Sequence, residues 1–412
     1  MLERLRLTDF KSFVDEEAEL APLTLLVGAN ASGKSNFLDA LRFLRQTKFD
    51  MSLAEVLDGQ ERAGADRWTG LRGGAREAAR VGTSVFAVES TWLCPSSEAG
   101  GATGEAVTPD PIEVTHRIAC RTVPEPKLEA ESLGRGRSEG SLFRSGTLRA
   151  DTVEMPWPSV RAATTLVSRD RSVLWPIYGG LAPGALTPEA VKHADALSSA
   201  VASIEVLSIA TKQMRGYGRR RAWLAEDGSN ISGVLAQLCD DPEEKRTLVD
   251  WLAEICAPEL VDLDFIEVPE LGDVMTVVIE KGGRRITISS LSDGTLRFLG
   301  MLVALRTAAP GSVILLEDIE ADLHPTRIRM LIEYLETVTR ERNVQIIATT
   351  HSPVVLEWLS EEALQSAVVF GRIPEREGTV MRRLGDLPHF NEIVKRKGID
   401  ELFTTGWLEM AL

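Results

Sequence analysis

The stretch Leu23-Thr24-Leu25-Leu26-Val27-Gly28-Ala29-Asn30-Ala31-Ser32-Gly33-Lys34-Ser35-Asn36 decides the fold class. Leu23 to Val27 reads as a buried strand, and Gly28 to Ser35 fits G-x-x-x-x-G-K-[ST]. Beyond it, Phe37, Leu38, Leu41 and Leu44 recur at helical spacing. Strand, glycine-rich turn and helix in that order make a phosphate loop. Glycine lets backbone N–H groups approach an anion, lysine meets the phosphate charge, and the serine hydroxyl serves Mg²⁺. Gly28, Asn30, Ala31, Ser32, Gly33, Lys34, Ser35 and Asn36 are therefore the expected nucleotide-binding residues, with Ser35 on the metal.

From residue 289 onward, apolar helices and short apolar strands alternate: helix 296–308, strand 313–317, helix 325–341, strand 344–349 and helix 353–360. This is α/β organisation with a parallel sheet. Three further elements carry chemistry. Val313 to Leu316 ends in Glu317-Asp318, where a buried strand delivers one carboxylate for Mg²⁺ and another to orient or deprotonate water. Leu291-Ser292-Asp293-Gly294-Thr295 opens a long helix, and a serine, a glycine N–H and a helix N-terminus together suit an anion. Thr349-Thr350-His351-Ser352-Pro353 places His351 at a strand end, within reach of a terminal phosphate or an attacking water.

The 412 residues carry a net charge of −15 and 44% hydrophobic residues. That is enough for a large core and two or three substructures. The acidic balance argues against a broad DNA-binding surface, which is normally basic. No apolar run reaches the roughly 20 residues of a membrane span, and the first residues lack a signal peptide's apolar core, so a cytoplasmic protein is expected. Cys94, Cys120, Cys239 and Cys256 are too scattered for a zinc pattern and read as buried, reduced thiols.

The N-terminus reads as a hairpin, strands 2–9 and 15–20, with further strands at 81–92 and 112–122. Residues 51–80 are polar, 96–105 read as a loop, and 129–160, rich in Gly, Ser and Arg, are expected to be mobile. Thr187-Pro188 opens a helix expected to run to 206, and helical sequence follows the Asp227 to Asn230 turn as far as 255. Strands at 261–268 and 274–288 precede the second α/β half, and a hairpin at 366–384 and a closing helix end the chain. Met214 to Trp223 interleaves basic and aromatic residues, as nucleic-acid grips do. Arg135, Arg137, Arg144 and Arg149 make a diffuse second basic stretch. Asp262-Leu263-Asp264 reads as alternating outward acids rather than a metal site.

Taken together, the chain resembles the ABC-type ATPases of the RecF/SMC/OLD group, and within it the compact stand-alone ATPases of bacterial defence and DNA maintenance. Leu7-Thr8-Asp9-Phe10-Lys11-Ser12-Phe13 resembles the group's N-F-[KR]-S-F opening, and Leu291 to Leu299 its signature helix. Glu317-Asp318-Ile319-Glu320-Ala321-Asp322-Leu323-His324-Pro325 resembles E-E-P-E-x-x-L-H-P, and Thr350-His351-Ser352-Pro353 its T-H-S-P. The resemblance spans about 1–45 and 285–360. It implies an ABC-ATPase head: a parallel sheet with the phosphate loop, an N-terminal antiparallel β part and an inserted α+β lobe. The expected division is 1–125, 126–260 and 261–412. It further implies ATP and Mg²⁺ as cofactors and a homodimer with ATP sandwiched between heads. Glu317 would serve Mg²⁺, Asp318 would be the catalytic carboxylate and His351 the switch histidine. Lys11 would join the nucleotide ligands, while Ser292 and Gly294 would act on ATP held by the other subunit.

Two departures, Asp318 where the group has Glu and Ile319 where it has Pro, imply slow hydrolysis coupled to a partner. Gln60 is the nearest candidate for the group's glutamine. More than half of the chain separates Ser35 from Leu291 without sustained heptads, so no long coiled coil is expected. About 50 residues follow Ser360, too few for the nuclease domain of OLD relatives. The expected partner is therefore a separate effector nuclease, with direct DNA binding of the RecF kind as the alternative. A transporter subunit is disfavoured by the long gap and by the Phe10 to Phe13 opening.

Overall fold

In the computed structural model, the run Leu23–Val27 lies inside a six-stranded, largely parallel sheet. The structure describes residues 1–49, 51–60, 68–95, 110–136, 139–146, 148–156, 164–176, 186–255, 259–374 and 376–412. The strands are β1 (Leu2–Thr8), β2 (Asp15–Glu19), β3 (Leu23–Val27), β4 (Val85–Cys94), β5 (Ile112–Arg121), β6 (Lys127–Arg135), β7 (Glu139–Arg144), β8 (Thr152–Pro156), β9 (Thr164–Ser168), β10 (Ile204–Leu207), β11 (Gly218–Arg219), β12 (Leu260–Val268), β13 (Asp273–Glu280), β14 (Arg285–Thr287), β15 (Val313–Leu316), β16 (Gln345–Thr350), β17 (Val368–Gly371) and β18 (Val380–Arg383). The sheet that holds the phosphate loop runs β10-β15-β16-β3-β17-β18, with only β18 antiparallel to its neighbour.

This sheet is buried on both faces, which is why its strands read as continuous apolar runs instead of alternating ones. Leu26, Val313, Leu315, Ile347, Val368 and Phe370 point into a core shared with the helix Lys34–Thr47 and the antiparallel sheet β2-β1-β4-β5-β6-β7. Leu23, Leu25, Val27, Ile314, Leu316, Ile346, Ala348 and Val369 point the other way, against the helices Asp293–Thr307 and Pro325–Arg342. Each fully buried side chain of this size contributes about 1.5–3 kcal/mol. The two phenylalanines of the opening motif belong to the first core: Phe10 packs on Phe86 with ring centres 5.2 Å apart, and Phe13 on Phe370 at 6.3 Å.

Several expectations need correction. Residues 129–160 are not a mobile stretch where described. They carry β6, β7 and β8, and Leu128, Leu133, Phe143 and Val153 are buried. The Gly, Ser and Arg positions between these anchors hide the alternation. The helix opened by Thr187 stops at Ala202, and Ile204–Leu207 becomes β10, parallel to β15. Sheet membership thus cuts across the 126–260 division: β6 and β7 extend the N-terminal antiparallel sheet, while β10 joins the parallel one. The stretch 274–288 is a hairpin of β13 and β14, turned at Gly282 and Gly283, both at positive φ. Two short helices, Leu53–Asp58 and Gly74–Ala78, occupy part of the polar 51–80 segment. The helix at 353 ends at Glu357, and Glu361–Ser366 forms a second one. Cys94 and Cys120 are buried free thiols, and Cys239 is a half-buried one. The 96–105 loop, Arg137 and Cys256 lie outside the described residues. Among the described residues the longest helix has 18 residues, and no helix is long and apolar enough to cross a membrane.

Candidate nucleotide site

The turn after β3 requires its glycines. Gly28 sits at φ 150°, and a Cβ there would lie 2.3 Å from the Phe370 carbonyl oxygen of β17. Gly33, at φ 114°, would meet Thr379 Oγ1 at 2.7 Å. These φ values and close approaches suit glycine alone. Two segments distant in sequence brace the loop. Thr379 Oγ1 donates to the Ser32 carbonyl at 2.9 Å and lies 2.9 Å from Ser12 Oγ, which accepts from Asn36 Nδ2 at 2.9 Å. Lys34 is buried and curls back, donating to the carbonyls of Gly28 (2.6 Å) and Ala29 (2.9 Å). Burial lowers its pKa, against the opposing pull of Asp318, Glu320 and Glu409. Ser32 Oγ is buried without a hydrogen-bond partner, a donor suited to a phosphate oxygen.

Register carries the other chemical groups to the same edge. Leu316 of β15 lies level with Ala348 of β16, which lies level with Leu25 of β3. Glu317-Asp318, Thr350-His351 and Gly28 therefore leave the sheet together at its carboxyl edge, the usual ligand edge of parallel sheets. Asp318 adopts φ 46°, unusual for a non-glycine residue. Its N–H donates to Thr349 Oγ1 at 2.8 Å, and that hydroxyl lies 3.2 Å from Asp318 Oδ1. Arg297, from the helix Asp293–Thr307, donates through Nη2 to the carbonyls of Glu317 (2.7 Å) and Asp318 (3.0 Å).

His351 is oriented by a residue to which the sequence reading assigned no role. Buried Glu320 accepts the His351 N–H at 2.8 Å, and its Oε1 lies 3.1 Å from His351 Nδ1. His351 Nδ1 is 3.8 Å from Asp318 Oδ1. The run of acids from 317 to 322 was the signal available, but the pairing spans 31 residues and needs the sheet to be seen.

Lys11 is placed differently from expectation. Its ammonium is bonded to Asp39 Oδ2 at 2.7 Å and to the Arg72 carbonyl at 2.6 Å, which makes it a brace of the phosphate-loop helix. Asp39 is fully buried and also receives Arg72 at 2.9 Å. Arg72, missed by the sequence reading, additionally donates to the Ser35 carbonyl at 2.7 Å and lies 3.3 Å from Glu317 Oε1. Arg42 lies 3.2 Å from the same oxygen, yet neither arginine makes a hydrogen bond to it. A buried carboxylate oxygen with lone pairs to spare, one guanidinium away from Ser35, fits Mg²⁺. That ion takes few protein oxygens and completes its shell with water and phosphate. Among the described residues no three His, Cys, Asp or Glu side chains cluster as a metal site.

Ser292 caps the helix Asp293–Thr307 by accepting the Thr295 N–H at 3.2 Å. Gly294 is held against its own chain: a Cβ there would lie 2.3 Å from the Asp322 carbonyl oxygen. Arg215 ties this turn down through the carbonyls of Ser289 and Leu291 and through Asp293 at 2.8 Å. The basic–aromatic stretch is thereby largely neutralised. Arg219 pairs with Asp273, and Arg220 with Asp240 and Glu267, while Tyr217 and Trp223 stay exposed. Asp262 and Asp264 pair with Lys245 and Arg285. Gln60 bonds Glu55 at 2.7 Å, within its own segment.

Two family models match the chain. Residues 238–357 match one described as "AAA domain, putative AbiEii toxin, Type IV TA system", and residues 1–89 match one described as "AAA ATPase domain". The phosphate loop falls in the second; Ser292, Gly294, Glu317, Asp318 and His351 fall in the first. Among solved structures the chain is similar to an SMC head bound to the C-winged helix domain of ScpA, at 16% identity over 93% of this chain and 98% of that one, TM-score 0.49. It is also similar to an SMC head with an extended coiled coil from Pyrococcus furiosus, bound to the C-terminal domain of ScpA, at 15% identity over 96% and 98%, TM-score 0.48. The SMC head domain from Thermotoga maritima is similar at 14% identity over 93% and 98%, TM-score 0.41.

Proposed function

We propose that the chain, matched by ATPase-domain models over residues 1–89 and 238–357, is an ABC-type ATPase of the RecF/SMC group that works as a slow, ATP-driven dimeric switch. Two copies close on two ATP molecules, and the closed pair is read by a separate effector nuclease in bacterial defence. One observation supports the dimer reading: the hydrogen bonding of Ser292 is confined to its own helix start. Gly28 to Asn36, Glu317, Asp318 and His351 meet at one sheet edge. Ser292, exposed at a helix N-terminus, shares no hydrogen bond with that loop among the described residues. An exposed serine at a helix start suits a phosphate brought by another copy. The defence setting draws on the toxin–antitoxin description of the matched family model.

In this reading the backbone N–H groups of 28–35 and the Lys34 ammonium hold the β- and γ-phosphates. Ser35 and Glu317 would hold Mg²⁺, which supplies charge neutralisation for in-line attack by water. Asp318, oriented by Thr349, takes the water's proton. His351, fixed by Glu320, faces the terminal phosphate. Asp318 is one methylene shorter than glutamate, so its reach to the water is reduced, and small misplacements are expensive in rate.

The alternative, an ATPase that grips DNA itself through 214–223, is weakened because Arg215, Arg219 and Arg220 are paired within the chain. Mass measurement of Asp318→Asn with and without Mg-ATP tests the switch. A shift from monomer to dimer mass with ATP alone supports it. A single mass under all conditions, or undiminished turnover in Asp318→Asn, refutes it.

A further inference from the structure

A cleft of about 410 Å³ opens at the mouth of the phosphate loop. Ala29, Asn30 and His351 line one wall. Phe403, Thr404 and Glu409 line the other, from the short helices Ile399–Thr404 and Trp407–Met410. The hydrolytic chemistry above makes no use of that second wall.

The wall is anchored. Ile399, Leu402 and Leu408 are buried in the same core as β3 and the helix Asp293–Thr307. Glu409 rests on Gly371, where a Cβ would lie 3.4 Å from Glu409 Cγ. The preceding residue, Phe370, supplies the carbonyl oxygen against which Gly28 packs. Two consecutive residues of β17 thus carry the phosphate loop and Glu409. The Glu409 carboxylate has no hydrogen bond or ion pair among the described residues, and its charge acts on the Lys34 ammonium.

We infer that Glu409 is a charge gate that sets nucleotide preference at this site by opposing the terminal phosphate. The inference rests on the ATP-binding reading above. His351 on the facing wall marks the terminal-phosphate side of the loop, so a fixed negative charge there acts more on ATP than on ADP. Lys34 attracts both anions, and Glu409 offsets part of that attraction.

Titration of the full chain with fluorescent ATP and ADP analogues tests this, comparing wild type, Glu409→Gln, Glu409→Ala and Glu401→Gln. Glu401 lies on the neighbouring helix Ile399–Thr404, is exposed and pairs with Lys397. Both Glu409 variants are expected to bind ATP about tenfold more tightly, the scale of one partly screened charge pair. ADP should tighten about twofold or less, and Glu401→Gln should match wild type. Unchanged ATP binding in both Glu409 variants, equal tightening of ATP and ADP, or the same gain in Glu401→Gln would overturn the gate. Failure of wild type to bind ATP better than Lys34→Ala would instead overturn the nucleotide site itself.

Discussion

Replacing Arg297 should separate nucleotide binding from chemistry. Arg297 Nη2 reaches the carbonyls of both Glu317 and Asp318, at 2.7 and 3.0 Å, while its Nε is buried without a partner. These bonds clamp the turn in which Asp318 is held at φ 46°, a conformation that costs roughly 1–3 kcal/mol. A hydrogen bond from a charged donor contributes about 1.5–3 kcal/mol. With one nitrogen shared between two carbonyls, about 2 kcal/mol is a fair figure for the clamp, or about 30-fold in a rate. Relaxation of the turn would also move the Asp318 carboxylate by about an ångström, which costs on the order of 100-fold. Arg297→Met is therefore expected to lower kcat about 30- to 100-fold while the ATP dissociation constant stays within about twofold. Arg297→Lys, which can keep one bond, should fall between. Single-turnover phosphate release read beside fluorescent-nucleotide titration decides it. Unchanged kcat, or ATP affinity lost in proportion to rate, would refute the clamp.

Other perturbations follow from the same geometry. Lys34→Ala should weaken ATP binding at least about 100-fold, seen by titration, because the buried Lys34 ammonium lies inside the loop on the carbonyls of Gly28 and Ala29. Since burial holds the Lys34 pKa below 10.5, ATP affinity should start to fall on the alkaline side before pH 10.5. Between the folded and unfolded values the folded state binds fewer protons, so this group makes folding stability rise with pH there, measurable by denaturation at graded pH. Glu131 is fully buried and accepts from Ser172 Oγ (2.7 Å), Val173 N (2.7 Å) and Leu174 N (3.1 Å). Glu131→Ala should cost about 3 kcal/mol, seen as a lowered thermal midpoint, by stranding those donors. Burial pushes the Cys94 thiol up to about 11 and the Cys120 thiol well above its usual value. Both should resist maleimide at pH 8 until the protein is unfolded, as judged by mass.

The phosphate loop was legible because glycine at 28 and 33 answers to backbone geometry that other residues rarely adopt, and the flanking apolar spacings are strong. The acids after β15 and His351 after β16 were legible for a similar reason: short apolar runs ending in polar residues mark strand ends of a doubly covered sheet. Glu320, Arg72 and Arg297 were not. Their roles exist only once segments 20 to 33 residues away are folded against them, and their side chains are ordinary for a solvated surface. Lys11 was drawn towards the nucleotide by its motif, whereas Asp39, one helical turn beyond Ser35 and fully buried, claims it. Ile204–Leu207 was absorbed into the preceding helix because four residues are too few for a period to declare itself.

The hydrogen bonds from Thr379 to Ser12 and Ser32 join residues 367 and 347 positions apart. β3 is likewise flanked by β16 and β17, both made from the last part of the chain. During synthesis the apolar strand Leu23–Val27 therefore waits more than 300 residues for its neighbours, a long exposure for a sticky edge. The phosphate loop closes only when they arrive. Nucleotide affinity would thus depend on residues 345–379 being in place, and bound ATP, by favouring the closed arrangement, would act as a late latch on folding as well as fuel.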